Sequence, residues 1–260
     1  MTKSQISSKT VFITGASSGI GAACAAHFAQ AGARLLLCAR NIDRLNEIAM
    51  PLKDKHKIDI HTFQLDVRNR AQVQQALKNL PKEWQTIDVL INNAGLARGF
   101  EPLQEGNIDD WEEMIDTNVK GLLYVTRAIL PAMVARNSGH IINIGSVAGH
   151  EAYPKGNAYC ASKHAVSALT KCLRMDLLGT KIRVSTVDPG AVETSFSVVR
   201  FKGDKERAAA VYKGMQPLTP ADVADAVFYC ASCPPHVNIS EIIIMPTDQA
   251  SATMVHRKQD

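Results

Sequence analysis

The stretch Thr10-Val-Phe-Ile-Thr14-Gly-Ala-Ser-Ser-Gly-Ile-Gly21 lies near the start of a chain of 260 residues. Its first five residues form an apolar run that ends at a glycine, which is typical of a buried parallel strand. Gly15, Gly19 and Gly21 permit a tight turn, close approach of the backbone to a phosphate, and close packing of a following helix. The amides that open this helix would face a pyrophosphate. The stretch therefore predicts a nucleotide-binding turn; a plain turn without a ligand is the alternative.

Beyond this stretch, short apolar runs alternate with segments of helical spacing. The predicted strands are Thr10–Thr14, Arg34–Cys38, Ile60–Gln64, Asp88–Ile91, His140–Ile144, Arg183–Val187 and Glu241–Met245. The predicted helices span 20–31, 41–52, 69–80, 108–137, 155–178 and 220–231. We expect Pro131 to kink or divide the fourth helix. Seven buried strands separated by helices predict an α/β, doubly wound domain with a parallel sheet.

The segment Ala191–Leu218 is the one long stretch without a regular pattern. Long connections in compact domains are often lids or binding loops. The chain shows no linker, repeat or low-complexity segment. We therefore predict one domain over residues 1–260, with a candidate substrate lid at 191–218.

Composition excludes several classes of function. The net charge is only +4, from 29 lysines and arginines against 25 aspartates and glutamates, and the signs are interspersed. We therefore expect no nucleic-acid partner, because such binders usually carry a basic stripe. No run of about 18 apolar residues is present, which argues against a membrane span. Met1–Lys9 is short and polar rather than a signal segment, so we expect a reduced, cytoplasmic protein.

Of the six cysteines, Cys230 and Cys233 form a CxxC pair. The sequence has no second such pair and no nearby histidine pair to complete a zinc site. We expect this pair to mark a helix end and predict no bound metal. A redox pair is the alternative, and it would need Cys230 to be exposed and acidic.

The end of the second predicted strand distinguishes the two nicotinamide cofactors. An NAD site usually has Asp or Glu there, which binds the ribose 2′-hydroxyl and repels a 2′-phosphate. The sequence here reads Cys38-Ala39-Arg40-Asn41. A guanidinium donates paired hydrogen bonds to a phosphate. We therefore predict NADP(H), with Arg40 and Asn41 at the 2′-phosphate; a solvated Arg40 is the alternative.

Tyr159 and Lys163 lie four residues apart in a predicted helix, and therefore on one face of it. A phenol with a pKa of about 10 is a poor acid or base at neutral pH. A neighbouring ammonium favours the phenolate, so we expect Lys163 to lower the pKa of Tyr159. Tyr159 would then exchange a proton with a substrate hydroxyl. Ser146 follows the strand His140–Ile144 and is predicted to hydrogen-bond the substrate oxygen.

Taken together, Thr14-Gly-x3-Gly-x-Gly21, Asn92-Asn-Ala-Gly95, Asn118, Ser146 and Tyr159-x3-Lys163 resemble the short-chain dehydrogenase/reductase family. The resemblance implies a single Rossmann-like domain with a seven-stranded parallel sheet, and hydride transfer at a nicotinamide. It implies that Tyr159 is the catalytic acid or base and that Ser146 orients the substrate. Lys163 would also bind the nicotinamide ribose, and Asn118 would support a water-mediated proton relay.

The same resemblance assigns residues to the cofactor. Asp66 and Val67 match the pair beside adenine, and Asn92–Gly95 lines the cofactor and supports the sheet. Pro189-Gly-Ala-Val-Glu-Thr194 matches the segment that holds the carboxamide. The complete predicted cofactor set is Gly15, Ser17, Ser18, Gly19, Ile20, Gly21, Arg40, Asn41, Asp66, Val67, Asn93, Gly95, Tyr159, Lys163, Pro189, Gly190, Val192 and Thr194.

Three later segments, Thr194–Gly203, Pro217–Asp225 and Met245–Ser251, resemble a subgroup, the NADP-dependent 3-hydroxy acid dehydrogenases. This subgroup includes serine/allo-threonine dehydrogenases and malonic semialdehyde reductases. The resemblance implies a homotetramer that acts on the β-hydroxyl of small 3-hydroxy acids. Two alternatives stay open: a carbonyl or 3-oxoacyl reductase with a bulkier substrate, and a non-catalytic NADP(H) sensor.

A small acidic substrate has little apolar area, so its carboxylate should meet a cation or backbone amides. Arg200 and Lys202, within the candidate lid, and His150, shortly after Ser146, are the candidates. A solvated side chain is the alternative for each. We predict that Arg200 closes over the carboxylate.

Overall fold

The computed structural model describes residues 5–258 as seven strands and nine helices. The strands are β1 (Thr10–Thr14), β2 (Arg34–Ala39), β3 (Ile60–Gln64), β4 (Val89–Asn92), β5 (Gly139–Ile144), β6 (Ile182–Pro189) and β7 (Glu241–Ile244). The helices are α1 (Gly19–Gln30), α2 (Ile42–His56), α3 (Arg70–Lys78), α4 (Ile108–Ile115), α5 (Leu122–Ala135), α6 (Asn157–Asp176), α7 (Phe196–Arg200), α8 (Lys205–Ala210) and α9 (Pro220–Ser232).

All seven strands lie in one sheet in the order β3-β2-β1-β4-β5-β6-β7, and every pair is parallel. The strand order reverses direction between β1 and β4, because β1 continues to β2 on one side and β4 continues to β5 on the other. Such a switch point opens a crevice at the carboxyl ends of the strands, where ligands bind in open α/β sheets. The predicted α/β, doubly wound fold with seven parallel strands is confirmed.

Both faces of the sheet are covered, because alternate strand residues point to opposite sides. On β1, Val11 and Ile13 belong to a core that also contains Phe28 of α1. Phe12 points the other way, into a core that contains Val125 and Met133 of α5. The sheet is thereby held rigidly enough for the loops at its carboxyl edge to carry a site.

The long predicted helix over 108–137 is divided, but not at Pro131. It breaks instead at a π-helical turn, Asp116–Gly121, which separates α4 from α5. Pro131 lies inside α5 with its ring exposed. Arg127, whose carbonyl loses its usual amide partner four residues on, is exposed too. Water satisfies such a carbonyl, so the helix tolerates the proline.

The segment 191–218 is more ordered than its sequence pattern indicates. It contains α7 and α8, and a parallel bridge between Val192 and Leu218 joins its two ends. Helices of five and six residues are too short to show an apolar period. Two short helices therefore lie in a segment whose sequence shows no regular pattern, and its role as a lid stays a prediction.

Two further expectations concern compartment and cysteines. Over residues 5–258, no helix combines the length and apolar character needed to cross a membrane. Part of the Met1–Lys9 expectation falls on residues 1–4, which lie outside the described residues.

All six cysteines are free. Cys230 is buried in the last turn of α9, where burial raises its pKa, and Cys233 caps that helix. Cys230 is therefore neither exposed nor acidic, as a redox pair would require.

Candidate functional site

A cleft of about 1190 Å³ runs along the carboxyl edge of the sheet. The turn after β1 and the loops after β2, β3 and β4 line one half of it. The loops after β5 and β6, together with α6, α7 and the C-terminal segment, line the other. Most of the predicted cofactor and catalytic residues therefore meet in one cleft.

The turn after β1 has the backbone geometry of a phosphate-binding loop. Gly15 adopts a left-handed φ of +66°, and an added Cβ would lie 3.0 Å from the Cα of Ala94. An added Cβ at Gly21 would lie 2.5 Å from Nδ2 of Asn93. Within the described chain, no side chain caps the amides that open α1, and its first turn holds no acidic residue. Those amides suit an anionic ligand, so the turn fits a dinucleotide pyrophosphate.

Hydrogen bonds of Asn92 and Asn93 connect this turn to the middle of the sheet. Nδ2 of Asn93 donates to the carbonyls of Thr14 and Gly15, at 2.8 and 3.1 Å. Nδ2 of Asn92 donates to Asn143 on β5 and to Thr126 on α5, both at 2.9 Å. The Asn-Asn pair thus fixes the floor of the cleft by buried hydrogen bonds.

The end of β2 presents basic groups to the cleft. The Arg40 side chain is 55% exposed, and its Nη1 lies 3.4 Å from Oε1 of Glu113. Oδ1 of Asn41 accepts from the amide of Arg44 at 3.0 Å, so this side chain caps α2. Arg44 lines the cleft as well. The sequence reasoning missed Arg44, although a second arginine in the first turn of the helix that follows Arg40 was a usable signal.

Asp66 and Val67 line the cleft after β3. The carboxylate of Asp66 is held by Arg68, whose Nη2 lies 2.6 Å from Oδ2. Partial burial acts to raise the pKa of Asp66, but the hydrogen bonds and charge of Arg68 outweigh it and hold that pKa below its usual value. Asp66 is therefore a paired anion that keeps its loop in place beside the predicted adenine position.

Tyr159 and Lys163 lie one turn apart near the start of α6, and both are buried. Nζ of Lys163 donates to the carbonyl of Ile144 at 3.0 Å and lies 5.9 Å from the centre of the Tyr159 ring. Phe196 of α7 packs edge-on against the same ring at 5.6 Å between centres. The pair is thus shielded from bulk water.

Burial drives the pKa values of this pair in opposite directions. It raises the pKa of the Tyr159 hydroxyl, and the neighbouring Tyr153 adds to that effect, whereas Ser146 as hydrogen-bond partner and the charge of Arg200 oppose it. It lowers the pKa of Lys163 to about 8. The prediction that Lys163 brings the tyrosine pKa below its usual value is wrong for this structure, because desolvation of the phenol outweighs the neighbouring charges.

Ser146 begins a short 3-10 turn, Val147–Gly149, directly after β5. Its Oγ accepts from the amide of Ala148 at 3.1 Å and donates to the carbonyl of Pro189 at 3.5 Å. These contacts hold the hydroxyl in the cleft beside Tyr159.

Asn118 lies in the π-helical turn and not in the wall of the cleft. Its Oδ1 accepts from the amide of Leu96 and its Nδ2 donates to the carbonyl of the same residue, both at 2.9 Å. Nδ2 also donates to Oγ of Ser162 on α6 at 3.0 Å. The side chain therefore braces the loop after β4 against α6, and its part in a proton relay stays a prediction.

Arg200, at the end of α7, reaches the predicted reaction centre. Its guanidinium carbon lies 4.7 Å from the centre of the Phe100 ring and 5.6 Å from that of Tyr159. Nε donates to the carbonyl of Gly99 at 3.0 Å, and Nη1 lies 3.4 Å from the hydroxyl of Tyr153. A positive charge is thereby fixed among aromatic rings, a few ångströms from the phenol.

Residues 9–205 match the sequence model of the short-chain dehydrogenase family. The chain belongs to this family. It is 48% identical over 249 residues to the NADP-dependent 3-hydroxy acid dehydrogenase YdfG of Salmonella typhi, covering 95% of this chain and 99% of the relative. It is 45% identical over 252 residues to sulfoacetaldehyde reductase 2 of Chromohalobacter salexigens, covering 96% and 99%.

Among solved structures, the closed form of serine dehydrogenase complexed with NADP+ has the same fold, with a TM-score of 0.90 and 47% identity. The match covers 96% of this chain and 100% of that chain. The similarity to these short-chain dehydrogenases extends over nearly the whole sequence. The family and the fold that the motifs predict are therefore confirmed.

Two of the three candidates for binding a substrate carboxylate do not face the cleft of this short-chain dehydrogenase. Nζ of Lys202 lies 2.9 Å from the carboxylate of Asp110. Nε2 of His150 lies 3.1 Å from the carboxylate of Asp188. Both side chains are engaged by acidic residues, which corrects the expectation for them. Arg200 remains.

Gly21 also does not line the cleft, because it packs the turn against Asn93. The other predicted cofactor residues do line it, and their individual roles stay predictions.

The C-terminal segment contributes lining residues that the sequence reasoning missed. Gln249 accepts from the amide of Ala191 at 2.8 Å and lies directly over Gly190. Arg257 donates to the carbonyls of Val211 and Lys213. These contacts join residues far apart in the chain, so no local pattern marks them.

We expect Tyr159 to stay a neutral phenol in the cofactor-free protein up to about pH 10, the usual pKa of tyrosine, because burial raises its pKa. The difference in absorbance at the phenolate band between the protein and its Tyr159→Phe variant measures this one residue. That difference should remain flat to about pH 10. A phenolate signal that develops below about pH 9 would show that neighbouring charges, rather than burial, control this residue.

Proposed function

We propose that the protein is an NADP(H)-dependent oxidoreductase that transfers a hydride between NADP(H) and the β-hydroxyl or carbonyl of small 3-hydroxy acids such as serine or allo-threonine. The observation that carries this proposal is Arg200, whose guanidinium lies 5.6 Å from the ring of Tyr159. A hydroxyl at the phenol and a carboxylate at the guanidinium match the two ends of a small hydroxy acid. Relatives named as 3-hydroxy acid dehydrogenases support the same substrate class.

The preference for NADP(H) is supported by the basic groups after β2. Arg40 and Arg44 line the cleft, and Ala39 stands where an NAD site carries a carboxylate. Arg40 is largely exposed and is paired only loosely with Glu113 at 3.4 Å. A 2′-phosphate offers a stronger partner, because it accepts two charge-assisted hydrogen bonds from one guanidinium.

The proposed mechanism assigns the proton to Tyr159. When bound, NADP(H) supplies the hydride acceptor or donor. Tyr159 takes the proton of the substrate hydroxyl during oxidation and returns it to the carbonyl oxygen during reduction. Ser146 hydrogen-bonds the same oxygen as charge develops on it. The ammonium of Lys163 stabilises the phenolate form of Tyr159.

The segment 191–218 supports the proposed lid role through its placement. It carries Phe196, which contacts the Tyr159 ring, and Arg200. The bridge between Val192 and Leu218 anchors both ends while the middle spans the cleft. Such a cover excludes water, and hydrogen bonds and charges inside then act in a lower dielectric.

A second substrate class follows from the same cation. One relative is named as a sulfoacetaldehyde reductase, and a sulfonate on a small aldehyde would pair with Arg200 as a carboxylate does. A bulkier carbonyl or 3-oxoacyl substrate is less favoured, because its apolar part would remove the guanidinium beside the Tyr159 ring from water without pairing it.

We also propose a cytoplasmic homotetramer. Six free cysteines agree with a reducing compartment. Large apolar side chains are exposed on the outside of the domain, which supports association with further copies. They include Leu123, Val134, Met175, Leu178, Tyr229 and Ile243.

The direct test is turnover. Purified protein should reduce NADP+ with serine or allo-threonine, and Tyr159→Phe should lower kcat by about a hundredfold or more, because the proton acceptor is lost while the ring is kept. Initial rates are followed by NADPH absorbance, with circular dichroism as the folding control. Tight NADP(H) binding without turnover of any hydroxy acid, aldehyde or ketone would favour a sensor instead.

The cofactor preference has a separate test. Replacing Arg40 and Arg44 together by Ala should raise KM for NADP+ by about 100-fold or more, since each charged hydrogen bond contributes about 1.5–3 kcal/mol, or about 10- to 150-fold. KM for NAD+ should change little. The exposed Arg127 on α5, replaced by Ala, is the matched control for lost positive charge. An equal rise for both cofactors would remove these arginines from the 2′-phosphate.

Substrate charge is tested at Arg200. Arg200→Met should raise KM for a 3-hydroxy acid by about tenfold or more and affect an uncharged alcohol much less, because only the acid loses an ionic partner. Lys202→Met is the control, since Lys202 pairs with Asp110 outside the cleft. Equal effects on acid and alcohol would exclude Arg200 from carboxylate binding.

A further inference from the structure

Behind the predicted catalytic pair lies an acidic residue that the mechanism so far does not use. Asp188, near the end of β6, is only 2% exposed. Its Oδ1 accepts from the hydroxyl of Thr186 at 2.8 Å, and its Oδ2 lies 3.1 Å from Nε2 of His150. The same imidazole nitrogen lies 3.7 Å from Glu241 at the start of β7. Removing a carboxylate from water costs free energy, so a carboxylate buried this deeply needs compensating hydrogen bonds or an opposite charge nearby.

The position of Asp188 is fixed by the glycine that follows β5. A Cβ on Gly145 would lie 1.7 Å from Oδ1 of Asp188 and 3.0 Å from Oγ1 of Thr186. The carboxylate is therefore pressed against the backbone of Gly145. This residue stands between Ile144, whose carbonyl accepts from Lys163, and Ser146. The anion thus lies beside the peptide that holds the ammonium.

We propose that Asp188 is the buried counter-charge of Lys163, a positioning residue that keeps this lysine protonated at the pH where the enzyme works. The inference rests on the proposed function in one respect, the role of Lys163 in stabilising the phenolate.

The electrostatic balance at Lys163 supports this assignment. Burial lowers the pKa of Lys163 to about 8, and the charge of Asp188 acts against that fall. The titratable groups that face the pair are Tyr159 on the same helix, and His150 and Glu241 around the carboxylate. Burial raises the pKa of Asp188, whereas its hydrogen bonds from Thr186 and His150 favour the anion.

Two readings of Asp188 lead to different results. As a purely structural group, its carboxylate would serve only to accept the hydrogen bond of Thr186 and to fill the space beneath Gly145. Asp188→Asn keeps that volume and an acceptor oxygen but removes the charge. If Asp188 is the counter-charge of Lys163, this substitution should change the pKa of Lys163. If Asp188 is only structural, it should change the stability of the protein alone.

The experiment measures the titration of Lys163 directly. The side-chain 13C resonances of labelled lysine are followed against pH in cofactor-free protein containing EDTA, and Lys163→Arg assigns the resonance. We expect Asp188→Asn to lower the pKa of Lys163 by about one unit, the size expected when a nearby opposite charge is removed. Asp225→Asn, which removes an exposed carboxylate from α9, should leave it unchanged.

The pH profile of kcat/KM for aldehyde reduction with saturating NADPH should move with it. If the lysine pKa falls from about 8 to about 7, the protonated fraction at pH 8 drops from about one half to about one eleventh. Activity should then fall about fivefold at pH 8 and hardly at all at about pH 6. Asp188→Ser, which is smaller than Asp and cannot clash with Gly145, should give the same shift and replaces the Asn variant if that one does not fold.

An unchanged Lys163 titration in a folded variant overturns the role of Asp188, and it leaves the proposed function intact if the wild type turns over and Tyr159→Phe does not. A shifted titration in a protein that lacks turnover has the opposite meaning: the counter-charge is real and the proposed function fails. An equal loss of activity at all pH values also overturns the proposal, because a structural defect has no reason to follow the ionisation of Lys163.

Discussion

A lysine ammonium taken out of water needs acceptors and an opposite charge, and much of this site is arranged around that need. Lys163 is 7% exposed, so no bulk water compensates it. The carbonyl of Ile144 accepts one of its protons at 3.0 Å. That contact ties α6 to the end of β5, and the residue after Ile144 must be a glycine because the carboxylate of Asp188 occupies the space of a side chain. Ser146 follows directly, so the position of the predicted substrate-orienting hydroxyl depends on the same arrangement.

The surroundings of a second cation, Arg200, differ from those of Lys163. Between residues 5 and 258 it forms no ion pair with a carboxylate; it lies over the rings of Phe100 and Tyr159, and its Nε donates to the carbonyl of Gly99. Aromatic faces attract a cation by about 0.5–2 kcal/mol without neutralising it. Its charge therefore remains available to an anion in the cleft. The amide of Gly99 in turn donates to the carbonyl of Arg200 at 3.0 Å, so two hydrogen bonds join the end of α7 to the loop after β4.

The parts of the fold that the sequence predicted are those governed by local or periodic signals. The bounds of β1 and β3 agree with the structure to the residue, because an apolar run between turn residues is a short-range pattern. The placement of Tyr159 and Lys163 on one face of a helix could be predicted for the same reason, since four residues on a helix make about one turn. The break at Asp116–Gly121 could not be predicted, because no amino-acid composition is typical of a π-helical turn. This turn is stabilised by the contacts that Asn118 makes with Leu96 and Ser162, which are distant in sequence.

The missed parts of the site depend on contacts between distant residues. Gln249 accepts a hydrogen bond from Ala191, which is 58 positions away in the chain. His150 contacts Asp188, 38 positions further on, and does not line the cleft. The direction of the Tyr159 pKa was mispredicted for a related reason. Spacing along α6 indicates that a lysine is near, but it does not measure how far both groups are removed from water. Desolvation is a property of the packed domain.

The opposite pKa directions at Tyr159 and Lys163 have one cause, and they determine which proton leaves first. Free tyrosine and lysine titrate close together, at about 10 and 10.4. Burial separates them, because it penalises the phenolate in one case and the ammonium in the other. Near neutral pH the pair is therefore a neutral phenol beside an ammonium. The proposed reduction needs this state, since the phenol would give its proton and the ammonium would compensate the charge left behind.

The proposed oxidation starts from the phenolate and would thus need positive charge close to Tyr159. Arg200 supplies some, but a substrate carboxylate bound to that guanidinium would cancel its effect on the phenol. Of the two described cations that lie over the Tyr159 ring, the ammonium of Lys163 would then be the one still unneutralised, and it is lost as the pH rises through about 8. A buried anion that delays this loss widens the pH range over which both directions run. The carboxylate behind Gly145 is consequently most important for an acidic substrate, the class in which the other cation is already occupied.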